Sequence, residues 1–482
     1  MTITHDIVQK LWNLCNHLKH DGVTYHQYVT ELTYLLFLKM MREVEKEDQL
    51  PEGYRWGDLT SKNGVELLDF YRLMLIHLGS HGSSRVQEIY AGAGTIIKKP
   101  KTLTDLVTEL DKLDWYSARQ EGLGDLYEGL LEKNAGETKS GAGQYFTPRP
   151  LINCMVQLMK PQAGEVIQDP AAGTGGFLIA ADNYIKEKTD QLFTLSEAEG
   201  NFQRKQAFCG LEHVQDTHRL SLMNMMLHGI ESGVAYGDTL SPDGANLPKS
   251  DVMLTNPPFG SSGAGGLPTR DDFTFETANK QLCFLQHIYR GLKAGGRAAV
   301  VLPDNVLFED NKGKEIRQDL MDKCKLHTIL RLPTGIFYAQ GVKTNVLFFT
   351  RGKTDKGNTE NIWVYDMRTN MPKFGKRTPL TEAHFTQFVK VFGEDVHGTS
   401  PRKEADDTEE RWKCFSREDI EKRGDNLDIS WLKDESASSV EDLDEPDVIA
   451  ARIMNHLRTA LGEMEALSEM LDEDQNKVEA AE

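Results

Sequence analysis

The four residues Asn256-Pro257-Pro258-Phe259 follow an apolar run, Asp251-Val252-Met253-Leu254-Thr255, that reads as a buried strand. Neither proline has an N–H, so the sheet ladder must stop there and the backbone is held open at the strand's C-terminal end. In doubly wound α/β sheets that edge is where ligands sit. The Asn256 side-chain oxygen and the Pro257 carbonyl make a pair of acceptors that fits a planar NH2 group with two hydrogens to give. Phe259 offers a flat ring to stack on whatever carries that group. These residue types predict methylation of an amino group on a flat, conjugated substrate. A polar strand end followed by a plain turn would use the same residues, so the prediction depends on what lies upstream.

Upstream, a strand is followed by Asp169-Pro170-Ala171-Ala172-Gly173-Thr174-Gly175-Gly176-Phe177-Leu178. Small residues let a backbone approach a ligand closely, and the turn opens a helix. The string differs from a dinucleotide loop, because the third glycine is missing and Asp-Pro-Ala-Ala precedes it. The acid before the loop suits a cationic ligand group, such as the amino group of the methionine tail of S-adenosylmethionine. Glu212 ends the next strand and is placed to accept from ribose hydroxyls, although a helix N-cap would also explain it. Asp238 ends the third and could hold an adenine amino group, although it also reads as a turn residue. With Asn256 after the fourth, four successive strands end in groups able to bind one ligand pair. The bland reading of each is independent of the others.

The elements that must position these groups alternate from about residue 164. Strands are predicted at Glu165–Gln168, Ala207–Leu211, Val234–Tyr236, Asp251–Leu254, Arg297–Leu302, Leu326–Arg331 and Thr344–Phe349, with helical stretches between most of them. That pattern predicts an α/β fold with an open, mostly parallel sheet and helices on both faces. Residues 1–135 read as helical, with apolar surfaces at Leu32, Leu35, Leu36 and Leu38, at Val65, Leu68, Phe70, Leu73, Leu75 and Ile76, and at Leu103, Leu106, Val107, Leu110 and Leu113. A loop from Lys139 ends at a helix start, where Thr147 suits the cap and Pro148 the first turn. Residues 351–410 read as mixed and polar. Asp434 to Asp447 is acidic and reads as a linker. It precedes a helix with Ile449, Ile453, Leu457, Ala460, Met464, Leu467 and Leu471 at coiled-coil spacing. The expected division is a helical domain over 1–138, a catalytic domain over 139–415 and a C-terminal segment over 416–482 that carries the linker and a docking helix.

At 482 residues with net charge -19, the chain lacks the basic balance of a protein that grips nucleic acid unaided. Work on DNA would need a basic partner or a very local basic patch. Six scattered cysteines, with no metal-ligand spacing, read as reduced thiols in a cytoplasmic protein. No apolar run approaches the roughly 18–20 residues that span a bilayer, the start lacks a signal-peptide pattern, and no metal is expected. There is no GxxxxGK[ST] loop for ATP and no nuclease cluster, so the chain is not expected to translocate or cut DNA.

Gln144-Tyr145-Phe146-Thr147-Pro148-Arg149, then DPAAGTGGF, then NPPF, in that order, resembles the amino-group DNA methyltransferases. It is most similar to the modification subunits of type I restriction–modification systems, over nearly the whole chain. The resemblance implies the S-adenosylmethionine-dependent methyltransferase fold and N6 methylation of adenine in duplex DNA. It implies cofactor contacts from Gln144, Tyr145, Phe146, Thr147, Pro148, Arg149, Thr174, Gly175, Gly176 and Glu212. It puts Asn256, Pro257 and Phe259 on a flipped base, with Phe337, or Tyr338 beside it, as a second aromatic. Asp169, Gly173, Asp238 and Pro258 complete the candidate site from the residue reading. It also implies that a separate specificity subunit reads the sequence, bound by two copies of this chain, and that a restriction or translocase subunit can join them. Cytosine-N4 or protein-glutamine methylation, or a silent scaffold for a DNA-binding partner, are the competing expectations.

Overall fold

The computed structural model describes residues 7–11, 13, 25–115, 127, 129–130, 147–260, 267–337, 342–372, 374–375, 378–403, 410–433 and, within 450–461, all but 452, 456 and 460. A nine-stranded sheet organises the molecule. Its strands are β1 (Ile167–Asp169), β2 (Phe208–Glu212), β3 (Gly233–Tyr236), β4 (Ser250–Thr255), β5 (Leu292–Pro303), β6 (Cys324–Arg331), β7 (Thr344–Arg351), β8 (Asn361–Asp366) and β9 (Trp412–Ser416). They lie in the order β3-β2-β1-β4-β5-β7-β6-β8-β9. The chain winds one way through β1, β2 and β3 and the other way from β4, so the winding reverses between β1 and β4. At such a reversal the connecting chains part and leave a crevice.

Side chains alternate between two cores, as the strand period requires. Val252 and Leu254 of β4, and Ala299 and Val301 of β5, face a core shared with the helices Arg149–Met159 and Gly176–Lys188. Met253, Ala298, Val300 and Leu302 face the opposite core, built with the helices Lys280–Gly291 and Lys312–Lys323. Helices on both faces explain why these strands are continuous apolar runs. Ile420, Leu427 and Ile429 belong to the second core, so the packed body continues past residue 415.

All seven predicted strands are present, with ends shifted by a few residues. Two more, β8 and β9, lie in or just beyond the stretch read as mixed and polar. Ile362-Trp363-Val364-Tyr365 carries the β-branched and aromatic signature of a strand, but the long polar connection before Trp412 masked its antiparallel partner. The sheet is also more mixed than a βα alternation implies: β7 inserts antiparallel between β5 and β6.

The N-terminal residues are helical as expected, over Tyr25–Glu43, Trp56–Thr60, Gly64–Leu78, Ser84–Tyr90 and Pro100–Asp111. One predicted face is wrong. Gly64–Leu78 buries Leu67, Leu68, Tyr71, Met74, Leu75 and Leu78, while Val65, Leu73 and Ile76 are 67%, 62% and 63% exposed. The buried set follows the helical period more closely than the set chosen by apolar character alone.

The helical body docks on Gln215–Leu227, the helix that starts just after β2. Leu220, Leu222, Met223 and Met226 of that helix belong to the N-terminal core. Arg219 is buried there. Its Nε donates to the Ile89 carbonyl at 2.6 Å, its Nη2 to the Ala91 carbonyl at 2.9 Å, and its Nη1 to Asp216 at 2.8 Å. The guanidinium also lies over the Tyr34 ring at 5.3 Å. Arg219→Ala strands the buried Ile89 carbonyl and the half-buried Ala91 carbonyl and is expected to weaken docking by about 2–4 kcal/mol. Hydrogen exchange should then show faster opening of residues 84–91, with β4 and β5 still protected.

Candidate active site

Asp169 ends β1 fully buried, and its Oδ1 accepts from the Ala171 N–H at 3.1 Å. The glycine-rich loop then folds back onto β2. Ala172 N donates to the Leu211 carbonyl at 3.0 Å and Gly173 N to Glu212 Oε2 at 2.9 Å. The other Glu212 oxygen accepts from the Val214 N–H at 2.8 Å, at the start of the next helix. Glu212 is thus both the loop's anchor and a helix-start acceptor, and each oxygen keeps a second lone pair. Burial pushes the Asp169 carboxyl up to about 7; the Thr255 hydroxyl and the Ala171 N–H oppose this, and the Glu212 charge adds to it. Burial also raises Glu212, against the N–H groups of Val214 and Gly173.

Gly210 was not singled out from the sequence, yet the loop depends on it. A β-carbon there would stand 2.2 Å from the Asp169 carbonyl oxygen, so only glycine lets β1 and β2 approach at this register. Its place in the strand Cys209-Gly210-Leu211 was the available signal.

Asp238 follows β3, and its Oδ1 accepts from the Leu240 N–H at 2.8 Å, which makes it a turn residue. The same turn is tied to the glycine loop, because Thr239 Oγ1 donates to the Pro170 carbonyl at 2.5 Å. Arg270 reaches the turn from beyond the proline pair: its Nη1 donates to the Thr239 carbonyl at 3.1 Å and to His287 Nδ1 at 2.8 Å. Burial, with Arg270 adding to it, drives His287 down to about 3, so this imidazole is neutral and its Nδ1 accepts.

At the end of β4, Asn256 is 7% exposed and its Nδ2 donates to Thr147 Oγ1 at 3.0 Å. The amide's acceptor, Oδ1, is the end turned away from Thr147. Thr147 is therefore not the helix cap. Pro148 occupies that position, without a side-chain bond, and the helix runs Arg149–Met159. The threonine hydroxyl serves Asn256 instead, a tertiary use that local sequence does not reveal. Arg149 Nη1 lies 3.4 Å from the Gly176 carbonyl, joining this helix to the end of the glycine loop. Gln144, Tyr145 and Phe146 lie outside the described residues.

Phe259 is half-buried. Phe337 packs against it edge-on, with ring centroids 6.3 Å apart and planes at 77°. Phe337 is 3% exposed and belongs to the sheet core, so here it backs Phe259. Tyr338 lies outside the described residues. The ends of β5, β6 and β7 are joined by residues the sequence did not flag. Arg368 makes two bonds to the Asp304 carboxylate, at 2.8 and 2.9 Å, and donates to the Leu332 carbonyl at 3.1 Å and the Thr344 carbonyl at 2.9 Å. One guanidinium thus ties the catalytic-edge ends of β5, β6 and β7.

Asp169, Glu212, Asp238 and Asn256 therefore stand along one edge, with β1 and β4 adjacent at the winding reversal. Residues 118–440 match the family N-6 DNA Methylase, and residues 7–110 match the HsdM N-terminal domain. The chain is 54% identical to the type I restriction enzyme EcoKI methylase subunit of Escherichia coli K12, over 96% of this chain and 94% of that one. It matches the StySPI methylase subunit of Salmonella potsdam at the same identity and coverage.

The chain belongs to the N-6 DNA methylases, among the methylase subunits of type I restriction enzymes.

Solved structures agree. The crystal structure of the EcoKI M protein shares 50% identity with a TM-score of 0.58, covering 97% of this chain and 96% of that one. A modification subunit of a putative type I restriction enzyme from Vibrio vulnificus shares 26% identity with a TM-score of 0.71, covering 90% and 99%. A modification subunit of this family is an N6-adenine DNA methyltransferase.

Thr147→Val removes the acceptor that orients the Asn256 amide. Methyl transfer is expected to fall roughly tenfold, the rate equivalent of one lost buried hydrogen bond. Thr147→Ser keeps the acceptor and should retain most of the rate in single-turnover assays.

Proposed function

We propose that this chain takes a methyl group from S-adenosylmethionine and places it on N6 of an adenine turned out of duplex DNA, at a sequence chosen by a separate specificity subunit. The observation that carries this is the Asn256 amide, held by Thr147 beside two prolines at the winding reversal, with Phe259 next to it. The loop fits the cofactor. A β-carbon on Gly173 would meet no atom within 4 Å, so the loop backbone there borders open space. Two carboxylates, the buried Asp169 and the half-buried Glu212, stand together at its base, and both are raised. Such a pair suits a ligand that brings positive charge and hydroxyl donors. In this reading Asp169 faces the ammonium group, Glu212 the ribose and Asp238 the adenine ring, with further cofactor contacts assigned to Gly173, Thr174, Gly175, Gly176 and Gln144 to Arg149. When bound, the cofactor supplies an electrophilic methyl group on a positively charged sulfur.

The lone pair of adenine N6 is delocalised into the ring, so the amine is a poor nucleophile. Asn256 Oδ1 and the Pro257 carbonyl accept its two hydrogens and draw the nitrogen toward a tetrahedral shape. Pro258 keeps that carbonyl rigidly aimed. This is positioning and electrostatic preorganisation rather than general-base catalysis. A stacked base cannot reach such a site and must leave the helix. Phe259 offsets part of the unstacking cost, and Phe337 supports the Phe259 ring.

The division of labour follows from charge and from the tail. A chain of net charge -19 needs a basic partner or a very local basic patch to hold DNA, and the tail favours the partner. Among the described residues of the tail helix, Ile453, Leu457 and Leu461 are exposed at four-residue spacing, a stripe suited to packing on a partner's helices. We assign that partner as the specificity subunit, bound by two copies of this chain, with a restriction or translocase subunit joining the complex. The proposed division is a helical domain over 1–138, a catalytic domain that begins at 139 and takes in the buried Ile429, and a docking segment after it. No described helix is long and apolar enough to cross a membrane, and the cytoplasm is the proposed location.

Labelled S-adenosylmethionine, the specificity subunit and duplex DNA should yield N6-methyladenine on nucleoside analysis, and omission of the subunit should abolish it. Product from this chain alone would overturn recognition in trans. Asn256→Asp should lower transfer at least 100-fold, on the order of 3 kcal/mol, with cofactor affinity within a few-fold of wild type.

Cofactor affinity should also depend on pH. In the free protein Asp169 takes up a proton as pH falls through about 7, while a cationic ligand is held by the ionised form. Binding therefore releases a proton, and affinity should strengthen as pH rises through 7. Calorimetry in buffers of different ionisation enthalpy measures that proton, and Asp169→Asn should remove it.

A further inference from the structure

We infer that Gln281 is a positioning residue for the target-base wall, acting through the backbone of Gly260 on the ring of Phe259. The inference rests on the reading of Phe259 given above.

Phe259 is held unequally on its two sides. Before it, two prolines fix their own φ and stiffen the approach. After it comes Gly260 at φ +119°, a conformation that residues with a β-carbon rarely adopt. A glycine so placed is a free swivel, and the direction of the Phe259 ring depends on what holds it. Gln281 holds it. The side chain is 3% exposed and sits in the first turn of the helix Lys280–Gly291. The amide orientation that satisfies its neighbours turns the nitrogen to the Gly260 carbonyl, donating to that oxygen at 3.2 Å, while its oxygen accepts from the Gly260 N–H. One amide thus answers both backbone groups of one residue, as a neighbouring strand would do.

The bracket is itself anchored. The Gln281 nitrogen also donates to Asn279 Oδ1. Asn279 Oδ1 accepts from the Leu282 N–H at 3.2 Å as the helix cap, and Asn279 Nδ2 donates to Glu309 at 2.6 Å. Glu309 follows β5 and accepts from Asn305 at 3.5 Å. The swivel beside Phe259 is therefore fixed to a helix start and, through that, to the neighbouring strand end. The relay meets the site at Gly260, next to Phe259, so on this inference its effect on transfer passes through the Phe259 ring.

A double-mutant cycle tests this, in the complete complex with its specificity subunit and duplex DNA. Gln281→Met keeps length and burial but removes both bonds to Gly260, along with the one to Asn279. Gln281→Glu keeps the acceptor and loses the donor. In a chain with Phe259, Gln281→Met should lower kcat about tenfold, as expected for two bonds of modest net worth, and Gln281→Glu should do likewise. Cofactor affinity should stay within twofold. With 2-aminopurine at the target position, the fluorescence of the flipped base should change in both variants. In a Phe259→Ala chain, Gln281→Met should have no further effect. Equal losses in both backgrounds would overturn the inference and leave Gln281 a packing residue. If Phe259→Ala itself transfers at the wild-type rate, the assignment of Phe259 fails, and the role of Gln281 fails with it by a separately visible result. If Gln281→Met unfolds, Gln281→Glu carries the same cycle.

Discussion

The interruption of β4 at Pro257 is the constraint on which this sheet edge depends. A strand with continuous N–H groups would go on pairing with its neighbours and bury its carbonyls in the ladder. Two prolines forbid that, so the Pro257 carbonyl is kept out of regular pairing at the one place where β1 and β4 lie side by side and the helices diverge. The remaining site is an arrangement around that interruption. Thr147 fixes the asparagine, β1 and β2 bring two carboxylates under the glycine loop, and Phe337 backs the ring that follows the prolines. The acceptors therefore need no folding event of their own once β4 has found its place.

A second theme is the use of single buried arginines to join segments distant in sequence. Arg219 joins the helical body to the helix after Glu212, Arg270 joins the chain beyond Phe259 to the turn at Asp238, and Arg368 joins three strand ends. Each spends its guanidinium largely on backbone carbonyls or on one carboxylate. A planar fork with five donors suits that work better than a lysine's point charge. These residues set the relative position of parts whose chemistry lies elsewhere, and for that reason they look ordinary in the sequence.

That contrast explains what the sequence revealed. Asn256, the prolines, Asp169, Glu212 and the glycine loop were legible because each sits at the boundary of an element, where local rules are strong. The seven strands were legible because both their faces are buried. The role of Thr147 was not, because local rules made it a helix cap and its true partner is more than a hundred residues away. Gly210 was passed over because its requirement arises from the neighbouring strand. The exposed face of Gly64–Leu78 was misjudged because apolar character was weighed above helical period. Strands β8 and β9 were missed because their pairing crosses a long polar connection, although Trp363 and Tyr365 carried a local signal.

The position of β7 has a consequence for how the chain is made. Synthesis delivers β6 before β7, yet β7 must lie between β5 and β6. Until residue 351 has emerged, β5 keeps an open, apolar edge on a nascent chain, and β6 has no place to pair. Unpaired edges of this kind are where incomplete chains associate with one another. The sheet cannot close in the order in which it is translated, so the late arrival of one central strand sets a window in which that edge stays unpaired.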